Sequence, residues 1–239
     1  MKTKMTMAVG ISLMGCLPVL AGEARSVSIA TNGGSASATA TATGNANSLA
    51  VAGATNGGRA VANSNAIGTR WGSANSRSVA MADHGLAISN SNADARGIFG
   101  GRAVAESDSV AATTGGVAIS NSDAVARGSF FGDAVSRSYS TALSNHGLAI
   151  SNSRALSDGL FGGEAISVSD SLADAYGGTA ISDVEAVSGA EFYGRASSDG
   201  VGVSISGPGR FGRSDVYAES RAANFGQSQS RASMVRIRR

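Results

Sequence analysis

The sequence predicts an all-β chain folded as a β-solenoid of about seven stacked strand-turn-strand rungs. Three observations predict it: a 31-residue repeat, a strict two-residue alternation inside each repeat, and glycine clusters that interrupt the alternation at fixed places. Four segments align without gaps, opening at Gly85, Gly116, Gly147 and Gly178. A degenerate copy opens at Gly209. Shorter copies open at Gly34 and Gly58, so the repeat lengthens from 24 to 27 to 31 residues along the chain.

The alternation sets the secondary structure. Ala87, Ser89, Ser91, Ala93 and Ala95 are small, with Ile88, Asn90, Asn92, Asp94 and Arg96 between them. After a glycine-rich turn it resumes with Ala103, Ala105, Ser107, Ser109 and Ala111. A period of two means β-strand, and one face of each strand is then Ala and Ser alone. Alanine by itself favours helix, but the missing 3.6-residue period overrides that preference. Gly97, Gly100, Gly101, Gly115 and Gly116 end the strands, and glycine suits the positive φ that tight corners need. A lone hairpin of this kind is unstable, so stacked copies must bury the small faces in a thin, zipper-like core.

Recurrent side chains predict ladders along the stack. Phe99, Phe130, Phe161 and Phe192 are 31 residues apart and fall in one half of each repeat, at a turn. This favours a 31-residue rung. A coil of half that length is the alternative, because Gly-x-Ala opens both halves. Ile88, Ile119, Ile150 and Ile181 coincide, as do Asn90, Asn121 and Asn152. Asn92 becomes Asp123, Arg154 and Glu185 in successive copies, which places opposite charges on neighbouring rungs. The Ile row, with Val104, Val135 and Ile166, lies opposite the Ala/Ser face. It is a candidate lateral contact surface, or else it packs under turns of the same chain.

The ends carry separate signals. Lys2 and Lys4, an apolar run from Met5 to Leu17, Pro18 and the small residues ending at Ala21 have the layout of a secretory leader. The run is too short for a membrane span of ~20 residues. A competing reading takes Leu13-Met14-Gly15-Cys16 as a lipoprotein signal that acylates Cys16. The chain therefore divides into a leader at 1–21, a lead-in at 22–33, solenoid repeats at 34–208, and a degenerate last repeat with a basic strand at 209–239. Without the leader's two lysines, 17 of the 19 basic residues remain, all arginine, against 17 acidic residues, so no nucleic-acid partner is indicated. The only cysteine, Cys16, lies in the leader, so disulfides contribute nothing to the repeats.

No reactive constellation emerges. His84 and His146 are two repeats apart, too far to share a metal ion, and read as exposed turn residues. The serines have no His–Asp partners, and no phosphate loop or calcium-roll pattern is present. The expectation is a protein that is not an enzyme and takes no cofactor or metal.

Gly116-Val-Ala-Ile-Ser-Asn-Ser122 resembles the repeats in head domains of trimeric autotransporter adhesins, over about residues 34–207. That resemblance implies a left-handed β-roll and an adhesive role. The family's stalk and membrane anchor have no counterpart here, so surface attachment does not carry over. In overall organisation the chain resembles curlin-type fibre subunits, which are secreted and polymerise as β-solenoid amyloid. It departs from them in having longer repeats and Gln only at Gln227 and Gln229.

The functional expectation is a secreted, self-assembling fibre or biofilm-matrix subunit of the functional-amyloid kind, stacking end to end and served by a secretion or nucleator partner. The alternative is a surface adhesin or a glycan- or ice-binding solenoid. Ice binding wants a regular Thr array, and Thr39, Thr41 and Thr43 form a single row. Val235 and Ile237, alternating with arginines, mark a final strand that either caps the stack or docks a neighbour.

Overall fold

The computed structural model describes residues 21–69, 72–99, 101–206 and 211–238. The expected leader and Cys16 lie outside them. The described residues form strands β1 (Ala21–Ala30), β2 (Ser35–Ala54), β3 (Arg59–Gly68), β4 (Ser73–Asp83), β5 (Leu86–Ile98), β6 (Ala103–Thr114) and β7 (Val117–Ser129). They continue with β8 (Ala134–Asn145), β9 (Leu148–Gly159), β10 (Glu164–Tyr176), β11 (Thr179–Ala190), β12 (Arg195–Ser206), β13 (Gly212–Ala222) and β14 (Gln227–Arg238). The strands stack into a parallel β-solenoid.

Two parallel sheets face one another. Sheet A holds β1, the second half of β2 and the even strands β4 to β14. Sheet B holds the first half of β2 and the odd strands β3 to β13. One rung is thus two strands, and Ile88 pairs with Ile119 and Ile119 with Ile150. This is the 31-residue rung rather than the half-length coil. The first rung is β2 folded back on itself at Gly44, whose φ is 102°, so that Ser48 Oγ donates to the Ala40 carbonyl at 2.8 Å. Later rungs insert a turn at that corner and lengthen their strands, from 10 residues in β3 to 13 in β5, which accounts for the growing repeat.

The core is built almost wholly from Ala and Ser, side chains of one to two heavy atoms, with Val184 of β11 a larger exception. Alanines form one buried cluster along each edge of the sandwich, around Ala87 and Ala118 on one side and Ala93 and Ala124 on the other. Between them runs a double row of buried serines. Ser91 Oγ lies 2.9 Å from Ser76 Oγ across the sheets and donates to the Ser76 carbonyl at 2.7 Å. A hydroxyl reaches the opposite backbone only when the sheets approach well inside the usual ~10 Å. Each buried methyl contributes only about 0.8 kcal/mol. The fold therefore depends on the number of rungs, continuous strand pairing and the serine bonds rather than on any large side chain.

Gly115 takes the positive φ predicted of a corner glycine, at 74°, but Gly97 and Gly116 play a different part. At the turn after β5, the positive φ belongs to Phe99 (54°), and Phe130, Phe161 and Phe192 repeat it at 54°, 57° and 54°. Gly97 is instead needed for space, since a Cβ there would lie 2.5 Å from the Gly101 carbonyl oxygen. At the opposite edge Gly116, Gly147 and Gly178 stack directly, and a Cβ on each would lie 1.9, 1.8 and 1.7 Å from the carbonyl oxygen of the glycine one rung before. The Gly-x-Ala openings at Gly58, Gly85, Gly116, Gly147 and Gly178 form a close-approach column.

Candidate functional site

The two turn edges carry ladders. The rings of Phe99, Phe130, Phe161 and Phe192 stack at centroid distances of 5.2, 5.3 and 5.0 Å. They remain 41–71 % exposed. A second column beside them alternates Phe131, Gly162 and Tyr193, and Tyr193 stacks on Phe225 at 5.4 Å. Phe131 fills the place that a Gly162 side chain would take, 3.0 Å from its Cδ1. The other edge does the same with imidazole. His84, Gly115, His146 and Gly177 follow one another rung by rung, and Gly115 and Gly177 leave room for the preceding histidine ring. The 62-residue histidine spacing thus places a glycine on the rung after each histidine, under its ring. Asp83 holds His84 Nδ1 at 2.7 Å and accepts from Thr114 Oγ1 at 2.5 Å. These bonds, Thr114 first, hold the Asp83 carboxyl below its ordinary range.

The outer face of sheet B is polar at its centre. Asn90, Asn121 and Asn152 each donate Nδ2 to the Oδ1 of the preceding rung's asparagine at 2.8 Å, starting from Asn63. In the next column Arg154 pairs with Glu185 at 3.1 Å and stands beside Asp123, the alternating charge ladder read from the sequence. Burial pushes the Asp123 carboxyl upward, against the opposing pull of Arg154. These columns line an open groove of about 760 Å³ that ends at Asp215 and Tyr217.

The Ile row occupies sheet B, half-buried, beside Leu86, Val117 and Leu148. Val104, Val135 and Ile166 lie on sheet A at the opposite edge, and Val135 is buried. The two groups do not make one lateral surface.

The continuous apolar surface lies elsewhere. On sheet A one outer column runs from Val27 and Val51 through Val110 and Leu172 to Val235, with only Thr141 intervening. The adjacent column includes Ile29, Met81, Leu143, Ile205 and Ile237, with Asp174 among them. Together they form an apolar stripe from the first strand of sheet A to the last. Near the N-terminal end it hollows into a groove of about 810 Å³, bordered by Tyr176. Its signal in the sequence was the recurrence of Val79 and Val110 in the second half of the repeat, masked by Thr141.

Val235 and Ile237 therefore extend the stripe. It is Met234 and Arg236 that take core-side positions in β14, continuing the columns of Gly202 and Ser204. Arg236 Nη2 reaches across to the Ser214 carbonyl at 3.4 Å. A bulky, charged residue in a column otherwise made of Ala and Ser covers the core like a lid.

Among the described residues no group of three or more His, Cys, Asp or Glu side chains is placed to hold a metal ion. Comparison with protein-family models, with curated proteins and with solved structures finds no match to the chain.

Proposed function

We propose that the chain is a structural subunit of an extracellular fibre or matrix, whose copies associate side by side through the apolar stripe of sheet A. The stripe is the observation that carries this reading. A contiguous apolar surface running the length of a solenoid is costly to leave in water. A second copy offers a surface of the same length and the same rung spacing, about 4.8 Å. The leader-like N-terminal residues support export. Arg236 over the core opposes unlimited end-to-end stacking, so sideways pairing is the mode of growth. The role is mechanical rather than catalytic.

The test is assembly of the purified protein followed by light scattering and electron microscopy. Ordered sheets or bundles are expected, and Val110→Glu with Leu172→Glu is expected to keep the protein dispersed with its strand circular dichroism intact. Wild-type protein that stays dispersed, or a double variant that assembles equally, contradicts the proposal.

A second reading rests on the sheet B groove. Its asparagine amides, Arg154, Glu185 and the Tyr217 ring offer the donors, acceptors and aromatic face that a polysaccharide strand requires. Co-sedimentation with insoluble polysaccharides, lost in Asn121→Leu and kept in Val110→Glu, would favour this adhesive role over the structural one.

A further inference from the structure

The outer face of sheet A is complementary to its own reverse. Its strands follow one another as β1, β2, β4, β6, β8, β10, β12 and β14. Laid against the same order reversed, with each outward column on itself, β1 meets β14, β2 meets β12, β4 meets β10 and β6 meets β8. In the column that begins at Ile29, hollow then meets bulk. Gly53 falls opposite Ile205, and Ala112 opposite Leu143. The groove of about 810 Å³ is hollowed over Gly53 and Ala112, so the large side chains of one face enter the hollows of the other. Asp174, the one charge inside the stripe, falls opposite Met81.

The charged half of the face follows the same rule. In one column Glu23 falls opposite Arg231, and Glu106 opposite Arg137. In the next, Arg77 falls opposite Asp170, and Leu49 opposite Val201. Arg77 holds Asp108 of its own chain at 3.2 Å and keeps 65 % of its side chain exposed, so it can bridge to a second carboxylate. Among the described residues no charge of this face lies directly opposite a like charge.

We infer that two copies pair face to face through sheet A with their solenoid axes antiparallel, about a two-fold axis parallel to the strands. The inference rests on the sheet A reading above and gives that contact its orientation. Opposed charges select register and orientation more than they add affinity, which the apolar stripe supplies. Eight strands about 4.8 Å apart, each about 33 Å long over ten residues, give roughly 1,200 Å² per copy, more than the ~800 Å² per partner of a standard interface. With the axes parallel instead, stripe on stripe sets Leu172 against Asp174 and leaves the charged columns outside the contact. A two-fold contact closes on itself, so the pair is the unit from which larger bundles grow through other faces.

Glu23 and Arg231 are both exposed and lie seven rungs apart in one chain, about 34 Å, so they meet only between copies. Glu23→Arg and Arg231→Glu should each raise the concentration at which copies associate about tenfold, and the doubly reversed chain should return it to the wild-type value. Sedimentation velocity measures this. In a Cys16→Ser background, chains carrying Val27→Cys should link to chains carrying Val235→Cys through a bismaleimide of about 10 Å, the face-to-face spacing of sheets, and neither should link to itself. Val27→Cys linking to itself, or charge reversals that are silent or additive, overturns the proposal. If Val110→Glu/Leu172→Glu still abolishes association, the sheet A reading stands and the antiparallel orientation alone is rejected. Association indifferent to those two substitutions, or wild-type protein that stays monomeric, overturns both.

Discussion

Ser122 Oγ lies 2.9 Å from Ser107 Oγ and 2.8 Å from the Ser107 carbonyl oxygen, joining the two sheets at the centre of the core. Ser167, two rungs on in the same sheet as Ser107, is equally buried, and its hydroxyl has no partner. The two serines should therefore respond oppositely to the same change. Ser122→Ala is expected to lower stability by about 1 kcal/mol, the net worth of a buried hydrogen bond. Ser167→Ala is expected to be neutral or stabilising, because it removes a desolvated hydroxyl and leaves nothing unpaired. Urea unfolding of both variants checks the pair.

The glycine column makes a sharper demand. A methyl at Gly116 would meet the Gly85 carbonyl oxygen at 1.9 Å, and that oxygen accepts the Val117 N–H of the strand pairing. Gly116→Ala should cost about 3 kcal/mol or more, since backbone on both rungs must move. Gly53→Ala, where nothing lies within 4 Å of the added methyl, should cost little. Thermal melts of the two variants compare them directly.

Phe161 combines a favourable stack with an unfavourable backbone. Its ring packs between those of Phe130 and Phe192, and its φ of 57° is costly for a residue with a Cβ. Phe161→Ala loses the stacking, worth about 0.5–1.5 kcal/mol per pair, and keeps the strain. Phe161→Gly loses the stacking and relieves about 1–2 kcal/mol of strain. The glycine variant should therefore be the more stable of the two, and equilibrium unfolding measures the difference.

Acid should stabilise the solenoid before it destabilises it. Burial, then Asp199, raises the Asp170 carboxyl, and burial, then its rung neighbour Asp215, raises Asp183. A carboxyl whose folded value exceeds its unfolded value weakens the fold while ionised. That penalty is relieved as pH falls through the folded value towards the ordinary one, near 4. Asp83 has the opposite sign: its lowered value contributes stability above the ordinary carboxylate range, and this is lost on further acidification. The melting temperature should rise between pH 7 and about 4.5 and then fall, and Asp183→Asn should flatten the rise.

The repeat, the alternation and the recurrent Phe, Ile and Asn positions were legible as sequence because parallel stacking copies a residue onto itself every rung. Register followed from them without further information. The positive φ of Gly115 was legible, but the jobs of Gly97 and Gly116 were not. The close approach at Gly116 is a property of two rungs together, and the positive φ at Phe99 falls on a residue type that does not announce it, so one repeat reveals neither. The sheet A stripe was not legible for a related reason. Ile88 and Val104 both face outward, but on opposite sheets, and the strand alternation alone does not say which sheet a residue belongs to. The stripe of Val27, Val110, Leu172 and Val235 appears only once each half-repeat is assigned to its own sheet.

The most direct measurement of the sheet A contact uses spin labels at two single cysteines in a Cys16→Ser chain, one replacing Val110 and one replacing Ile119. Both labels point outward, from sheet A and sheet B respectively. Dipolar broadening on assembly at position 110, with position 119 unchanged, is the predicted result. Broadening at position 119 alone, or at neither, would contradict the assignment of the apolar stripe as the surface that joins copies of this protein.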